Sequence, residues 1–281
     1  RPACLRGTPD SKVLRKKPKQ HTSFPAESFF NNPGHITYSP QVYINALNAL
    51  MYCCSSLNKY NEMINYIIQF KETKKYFTKN HQGSAIPLSY HELDYYSITG
   101  KIQDGFLAAK KIEKELLENE YLLSSLEKTG LLINLSMMYF MNEKYRETIL
   151  LLNRVMYEPI LDSRSDMDGM VRIFYLICHY ERGASRQFMK SLVRSAYRRL
   201  AKRKGIHKFE NIILDFIRKK LVRVKSEEQL LDLFTQLRKQ MLVLKKDPYE
   251  SRPLEYFDLI AWLTGKIEGK KFAEVVEAKK E

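Results

Sequence analysis

The amino-acid sequence predicts an all-α protein built from stacked helical hairpins, with about ten to twelve helices and no sheet. Apolar residues recur at helical spacing along most of the chain from Ser39 onward. Residues typical of helix caps separate these segments, and a short motif returns at a nearly constant period. Glycine and proline are scarce, with 11 and 10 copies in 281 residues, whereas an all-β chain needs a turn every ~8–12 residues.

The helices are predicted in consecutive pairs from their cap residues. Ser39 precedes a proline, which suits the first position of a helix. Ser89 and Glu92 fit a capping box, and Gly100 and Gly205 suit the ends of later helices. Helices joined by a few residues pack most naturally as antiparallel hairpins. The pairs are predicted to begin at residues 40 and 60, 89 and 103, 124 and 145, 166 and 186, and 208 and 226, and a last helix carries Tyr256, Ile260 and Leu263.

A repeated motif supports this pairing. The segments 58–63, 100–105 and 143–148 each contain a lysine, then a tyrosine or isoleucine, then an acid two residues later. Tyr60, Ile102 and Tyr145 are the aligned positions, and they are 42 and 43 residues apart. The acid would lie in the first turn of a helix, where it complements the helix dipole. A period of this length is typical of a solenoid of helix pairs.

The charge is concentrated in two regions. The chain carries a net charge of +15, yet residues 1–20 contain seven basic and one acidic side chain, and residues 190–225 contain thirteen and two. Residues 1–36 hold five prolines and no apolar periodicity, so they are predicted to be a disordered basic arm. Residues 37–281 are predicted to form the helical-repeat domain, with a possible subdivision near residue 205.

The pattern of the helical hairpins resembles that of a known family. Its third hairpin fits the large–large–small–aromatic pattern and second-helix core of tetratricopeptide repeats, at Leu132, Leu135, Ser136, Tyr139, Tyr145, Thr148, Leu152 and Val155. The consensus tryptophan and glycine are absent, so the likeness is to a degenerate, tetratricopeptide-like protein. The segments 164–220 and 256–266 are similar to uncharacterised bacterial proteins of that kind. The resemblance covers most of residues 39–281 and implies a right-handed superhelix that acts in protein–protein interaction.

No enzymatic motif is present. The chain contains no phosphate-binding glycine loop, GxSxG or HExxH sequence. Cys178 and His179 are adjacent on one predicted helix and therefore point about 100° apart, which suits a catalytic dyad poorly. Asp162, Asp166 and Asp168 lack the spacing of a calcium loop. Instead, Ser165 or Asp166 is expected to cap the next helix, with Asp168 in its first turn. The sequence thus predicts no catalytic residue, no metal site and no cofactor.

Compartment is inferred from cysteine use and hydropathy. The four cysteines form no CxxC pair, which favours free thiols in a reducing compartment, and one of the adjacent Cys53 and Cys54 is expected in the core. Residues 1–25 contain no apolar leader, and the longest apolar run is about half the ~20 residues of a membrane span. We expect a cytoplasmic protein without membrane contact.

A ladder of basic residues is the candidate binding site. It recurs every four residues along one predicted helix and is extended by two further arginines, so that the set is Arg186, Lys190, Arg194, Arg198, Arg199, Lys202 and Arg203. Such a ladder has three possible roles. It is a solvated face, it forms ion pairs with acids of a neighbouring helix such as Glu227, Glu228 or Asp232, or it binds an acidic protein or nucleic acid.

The sequence is compatible with two functions. The first is a non-enzymatic scaffold that binds a peptide segment or partner helix on its concave face. The alternative is a nucleic-acid-binding regulator that uses the basic region 186–225.

Overall fold

The computed structural model describes residues 36, 38–77, 81, 85–202, 207–251, 254 and 256–279. Every regular element in that part of the chain is helical, so the all-α prediction is confirmed. Twelve α-helices of seven residues or more are present there. They are α1 (Pro40–Ser56), α2 (Tyr60–Thr73), α3 (Ser89–Thr99), α4 (Ile102–Asn119), α5 (Ser125–Met141), α6 (Tyr145–Met156), α7 (Ser165–Glu181), α8 (Arg186–Ala201), α9 (Lys208–Asp215), α10 (Glu227–Leu244), α11 (Leu259–Glu268) and α12 (Phe272–Ala278).

The first six helices form three hairpins with the same turn. Tyr60, Ile102 and Tyr145 are the first residues of α2, α4 and α6, as the repeated motif predicts. The lysine before each of them has φ between −89° and −76° and ψ between 59° and 62°. The residue before that lysine has φ of 57°, 63° or 58°. These hairpins pack against one another in chain order, with α2 on α3 and α4 on α5. Their winding into a superhelix stays a prediction.

The core explains why the third hairpin fits its sequence pattern. Leu132, Leu135, Thr148 and Leu152 are completely buried between α5 and α6, and Tyr139 is 7% exposed. Ser136 occupies the small position and donates its hydroxyl to the Leu132 carbonyl, which removes the cost of burying it. One buried cluster runs from Ile86 to Leu263, on both sides of residue 205, and a second joins α1, α2 and α3.

Several local predictions are corrected by the structure. Ser89 forms no capping hydrogen bond, because a 3₁₀ helix at Ile86–Leu88 runs directly into α3. Glu92 instead pairs with Lys71 of α2. The helix predicted to start at 208 continues only as α9, followed by a π-helical segment at Phe216–Lys220 and a 3₁₀ turn. Tyr256 precedes α11 rather than lying within it, and α12 was not predicted.

The last two helices pack against each other, α11 also packs against α10, and aromatic residues around them contact α5 and α7. Phe257, just before α11, stacks on Phe174 of α7 with ring centroids 4.5 Å apart. Phe272 of α12 stacks on Phe257 at 5.5 Å, and Phe140 of α5 meets both rings edge-on. On α11, Trp262 donates its indole N–H to Glu181 of α7 at 2.6 Å. The C-terminal helix pair, α11 and α12, is therefore joined to α5 and α7 through aromatic contacts and one hydrogen bond.

Parts of the sequence predictions fall outside this description. The predicted arm lies outside the described residues except for Ile36, which is buried in the cluster of the first hairpin. Arg203 of the ladder and Gly205 also lie outside them. None of the helices in the described ranges has the length and apolar character needed to cross a membrane.

Candidate functional site

The basic ladder lies on the exposed side of α8. Met189, Val193, Ala196 and Leu200 form a buried stripe that fixes the helix against the core. Because each four-residue step advances the helix by about 40°, the five ladder positions at 186, 190, 194, 198 and 202 sweep about 160° of its surface. All five side chains are exposed, as is Arg199. The ladder is thus a broad basic face, rather than a single line of charge.

Two arginines at the margins of the ladder have partners. Arg186 donates to the carbonyl of Val224 at 2.9 Å, and Arg199 pairs with Asp162 at 2.5 Å and with buried Asp168 at 3.8 Å. No ion pair in the described part of the chain joins the ladder residues to Glu227, Glu228 or Asp232, and the acids that reach Arg199 lie between α6 and α7 and at the start of α7. Within the described ranges no ion pair reaches these four ladder residues: Lys190, Arg194, Arg198 and Lys202.

A second group of cations adjoins the ladder. The π-helical segment packs on α8, and Arg218 places its guanidinium 5.8 Å from the ring centre of Tyr197, which is 42% exposed. Arg218 and Lys219 both pair with Asp215, at 2.8 and 2.7 Å. The hydrogen bond from Lys219 is the main cause that lowers the pKa of Asp215. One carboxylate shared by two cations leaves this side of α8 basic as well.

A cleft lies where the C-terminal helix pair leaves the hairpins uncovered. Its volume is about 650 Å³, within the roughly 300–1,000 Å³ of ligand pockets. Its wall is mostly apolar and aromatic, and it is built from α2, α3, α5, the segment before α11, and α12. Representative lining residues are Tyr60, Ile98, Met137, Tyr256, Phe272 and Val276.

One carboxylate in the cleft has no cation beside it in the part of the chain that is described. Asp94 of α3 accepts a hydrogen bond from Ser55 of α1 at 2.9 Å, and no ion pair reaches it there. Burial raises the pKa of Asp94, and the hydrogen bond from Ser55 opposes that shift. Burial also raises the pKa of nearby Tyr90 to about 12, with the charge of Asp94 as the next cause. Asp94 was not predicted as a site residue.

The three aspartates weighed for calcium are held by arginines. Asp162 pairs with Arg199, as described above, and Asp166 accepts from Arg164 at 3.2 Å through each oxygen. Asp168 is completely buried and pairs with Arg172 at 2.8 Å. Asp168 lies in the first turn of α7, as expected, but the N-cap residue is Arg164 rather than Ser165 or Asp166, and Asp166 also lies in the first turn. These carboxylates therefore serve packing between α7, α8 and the loop before α7.

Three of the four cysteines, Cys53, Cys54 and Cys178, lie in the part of the chain that the structure describes. Cys178 is completely buried, and burial raises the pKa of its thiol, which makes it a poor nucleophile. Its neighbour His179 is 8% exposed, and burial, followed by the charge of Arg182, lowers its pKa. Cys54 packs in the core while Cys53 is exposed, so one of the pair fills the predicted role.

Comparisons of the chain with protein families, with curated proteins and with solved structures find no match. The candidate functional surfaces of this chain are the basic ladder of α8 and the cleft around Asp94.

Proposed function

We propose that this chain is a non-enzymatic interaction module that binds a peptide segment or a partner helix. In a solenoid of hairpins, the first helices line the concave face, which is where extended segments dock. In this protein Phe257 and Phe272 of the C-terminal segment pack on Phe140 of α5, and the cleft lined by α2, α3 and α5 lies open beside them. This open cleft is the observation that carries the proposal.

The cleft has the surface that peptide binding requires. Side chains such as Tyr60, Tyr256 and Phe272 offer aromatic area, which concentrates binding energy at interfaces. Met137 and Met141 add flexible apolar surface that can adapt to different side chains. All of these residues except Tyr256 lie on helices, so little ordering is needed upon binding.

A peptide-display selection tests this function. Purified protein would be panned against a phage library of random dodecapeptides, alongside a Met137→Trp variant whose indole fills the cleft. Val243→Trp is the matched control, because Val243 is 68% exposed on α10, outside the cleft. We expect peptides that bind the wild type and Val243→Trp but not Met137→Trp. Selected peptides that bind all three proteins equally, or no selection at all, would contradict the proposal.

The alternative function, nucleic-acid binding, is favoured by the ladder. Its exposed cations are joined by Arg218 and by the exposed ring of Tyr197, and basic groups beside an aromatic ring suit single-stranded nucleic acid. Each phosphate contact adds about 0.9 to the slope of log affinity against log salt on duplex DNA.

Charge-matched variants test the alternative. Arg194, Arg198 and Lys202 would be changed to glutamine, and the control would change Lys110, Lys111 and Lys114 of α4, so that both proteins lose three charges. If the ladder binds nucleic acid, the first variant should lose affinity for generic DNA and RNA and about three units of salt slope on DNA. Equal losses in both variants would show that only net charge matters.

A further inference from the structure

The charges around the cleft are distributed unequally. Three cations of the described residues at or next to the cleft are matched with acids: Lys279 pairs with Asp258, Arg164 with Asp166, and Lys59 with Glu62. Asp94 has no such partner, since its only polar contact among the described residues is the Ser55 hydroxyl. Basic residues outnumber acidic ones by 47 to 32 in this chain, so an acid without a cation runs against the composition.

The surroundings of Asp94 suit a cation that arrives with apolar groups. Asp94 and Tyr60 both line the cleft, beside Ile98 of α3, and the face of an aromatic ring attracts a positive charge. Ser55 engages one carboxylate oxygen, and the lone pairs that stay free can accept further hydrogen bonds. The partly buried carboxylate loses hydration without gaining an ion pair, and a bound cation would offset that cost.

We propose that the cleft recognises a lysine or arginine side chain of a partner peptide, with apolar residues on either side of it, and that Asp94 is the anchor for the cation. This inference rests on the proposed peptide-binding function and adds the chemistry of the partner. The apolar flanks contact Ile98, Met137 and Phe272, while the basic side chain reaches Asp94. The ladder has the opposite charge and shares no helix with this site.

Defined peptide pools provide the test. Four pools of acetylated, amidated nonapeptides would carry arginine, lysine, citrulline or glutamate at the centre, with the flanks randomised among leucine, isoleucine, methionine, phenylalanine and serine. Citrulline keeps the shape of arginine but lacks its charge. Binding to immobilised wild type, Asp94→Asn and Asp232→Asn would be measured. Asp232 is an exposed aspartate of α10, outside the cleft, and is the matched control.

The expected result is a charge preference that depends on Asp94. The arginine and lysine pools should bind the wild type about tenfold more tightly than citrulline, in line with a charge-assisted hydrogen bond. Asp94→Asn should remove that preference because asparagine keeps the Ser55 contact without the charge, and Asp232→Asn should retain it.

The failures of the two proposals are distinguishable. If all pools bind equally and Met137→Trp abolishes binding, peptide binding stands and the role of Asp94 is wrong. A charge preference that persists in Asp94→Asn also overturns the inference. If no pool binds the wild type at millimolar concentration, both the inference and peptide binding in this cleft fail. Circular dichroism of each variant ensures that a loss of binding is not a loss of folding.

Discussion

Replacing Gly169 of α7 with alanine is predicted to destabilise the protein, although the same change usually stabilises a helix. An ideal Cβ at this position would lie 1.6 Å from Oε1 and 2.6 Å from Cδ of Glu210, which belongs to α9. Glu210 is completely buried, and its other oxygen accepts the backbone N–H of His207 at 3.0 Å in a capping box. The absence of a side chain at Gly169 therefore leaves room for the buried carboxylate of Glu210 to cap α9.

The magnitude follows from one favourable and two unfavourable effects. Alanine in place of glycine within a helix gains about 1 kcal/mol of stability. Forcing a methyl group into a filled space costs about 1–3 kcal/mol, and displacing Glu210 from its capping position costs about 0.5–2 kcal/mol more. Gly169→Ala should thus lower the free energy of unfolding by roughly 0.5–4 kcal/mol.

Gly130 provides the matched control. It lies within α5, and a Cβ placed there meets no atom within 4 Å among the described residues. Gly130→Ala should raise the free energy of unfolding by about 0.8–1 kcal/mol. Urea unfolding followed by circular dichroism measures both changes, and Glu210→Ala provides a second background, in which Gly169→Ala should lose most of its penalty. Stabilisation by both alanines, or an unchanged penalty without Glu210, would refute this account.

Three further predictions concern stability. Glu181→Ala should cost roughly 1–3 kcal/mol and speed hydrogen exchange in α11, because it leaves the buried indole N–H of Trp262 without its acceptor, whereas Glu181→Gln should cost less. Ser124→Ala should cost about 1 kcal/mol in urea unfolding, because it removes the capping box of α5. Burial lowers the pKa of His91 to about 4, below its unfolded value of about 6.5, so the folded state binds fewer protons and stability falls as the pH drops from 6.5 to 4. The loss is on the order of 3 kcal/mol and should be absent in His91→Gln, as pH-dependent urea unfolding would show.

The hairpin pattern could be predicted from sequence because it is local. Apolar periodicity and the aligned lysines locate α2, α4 and α6 to within a residue of their observed starts. Only Gly100 indicates the positive φ of the turn in the sequence, although Asn58 and Glu143 adopt the same conformation. Those turns are fixed by backbone hydrogen bonds such as that from the Lys144 N–H to the Tyr139 carbonyl at 2.9 Å. The side chain of Glu143 gives no signal for this conformation.

The missed elements depend on tertiary contacts. α12 is only seven residues long, too short for apolar periodicity to stand out, and its position is fixed by the stacking of Phe272 on Phe257. The π-helical segment interrupts a stretch that reads as one continuous amphipathic helix. Ser89 and Glu92 match a capping box in sequence, yet Lys71 of another helix takes the glutamate.

The two candidate sites differ in how far they could be predicted from the sequence. The ladder lies on one helix, so a four-residue spacing was enough to show it. The cleft draws on five separate segments, including α12, and only the packing of the C-terminal helix pair brings Val276 opposite Ile98. Asp94 is an ordinary helical acid in sequence, and its lack of a cation can be seen only when the neighbours are known.

Salt dependence can separate the two surfaces because their ligands carry opposite charge. The net charge of +15 attracts an acidic partner of the ladder over long distances, so added salt should slow its association. A basic peptide approaching the cleft meets repulsion from the same field until it is close to Asp94. Salt screens the distant charges more than the partly buried carboxylate, so it should speed association at the cleft. The sign of this effect therefore identifies which surface a given partner uses.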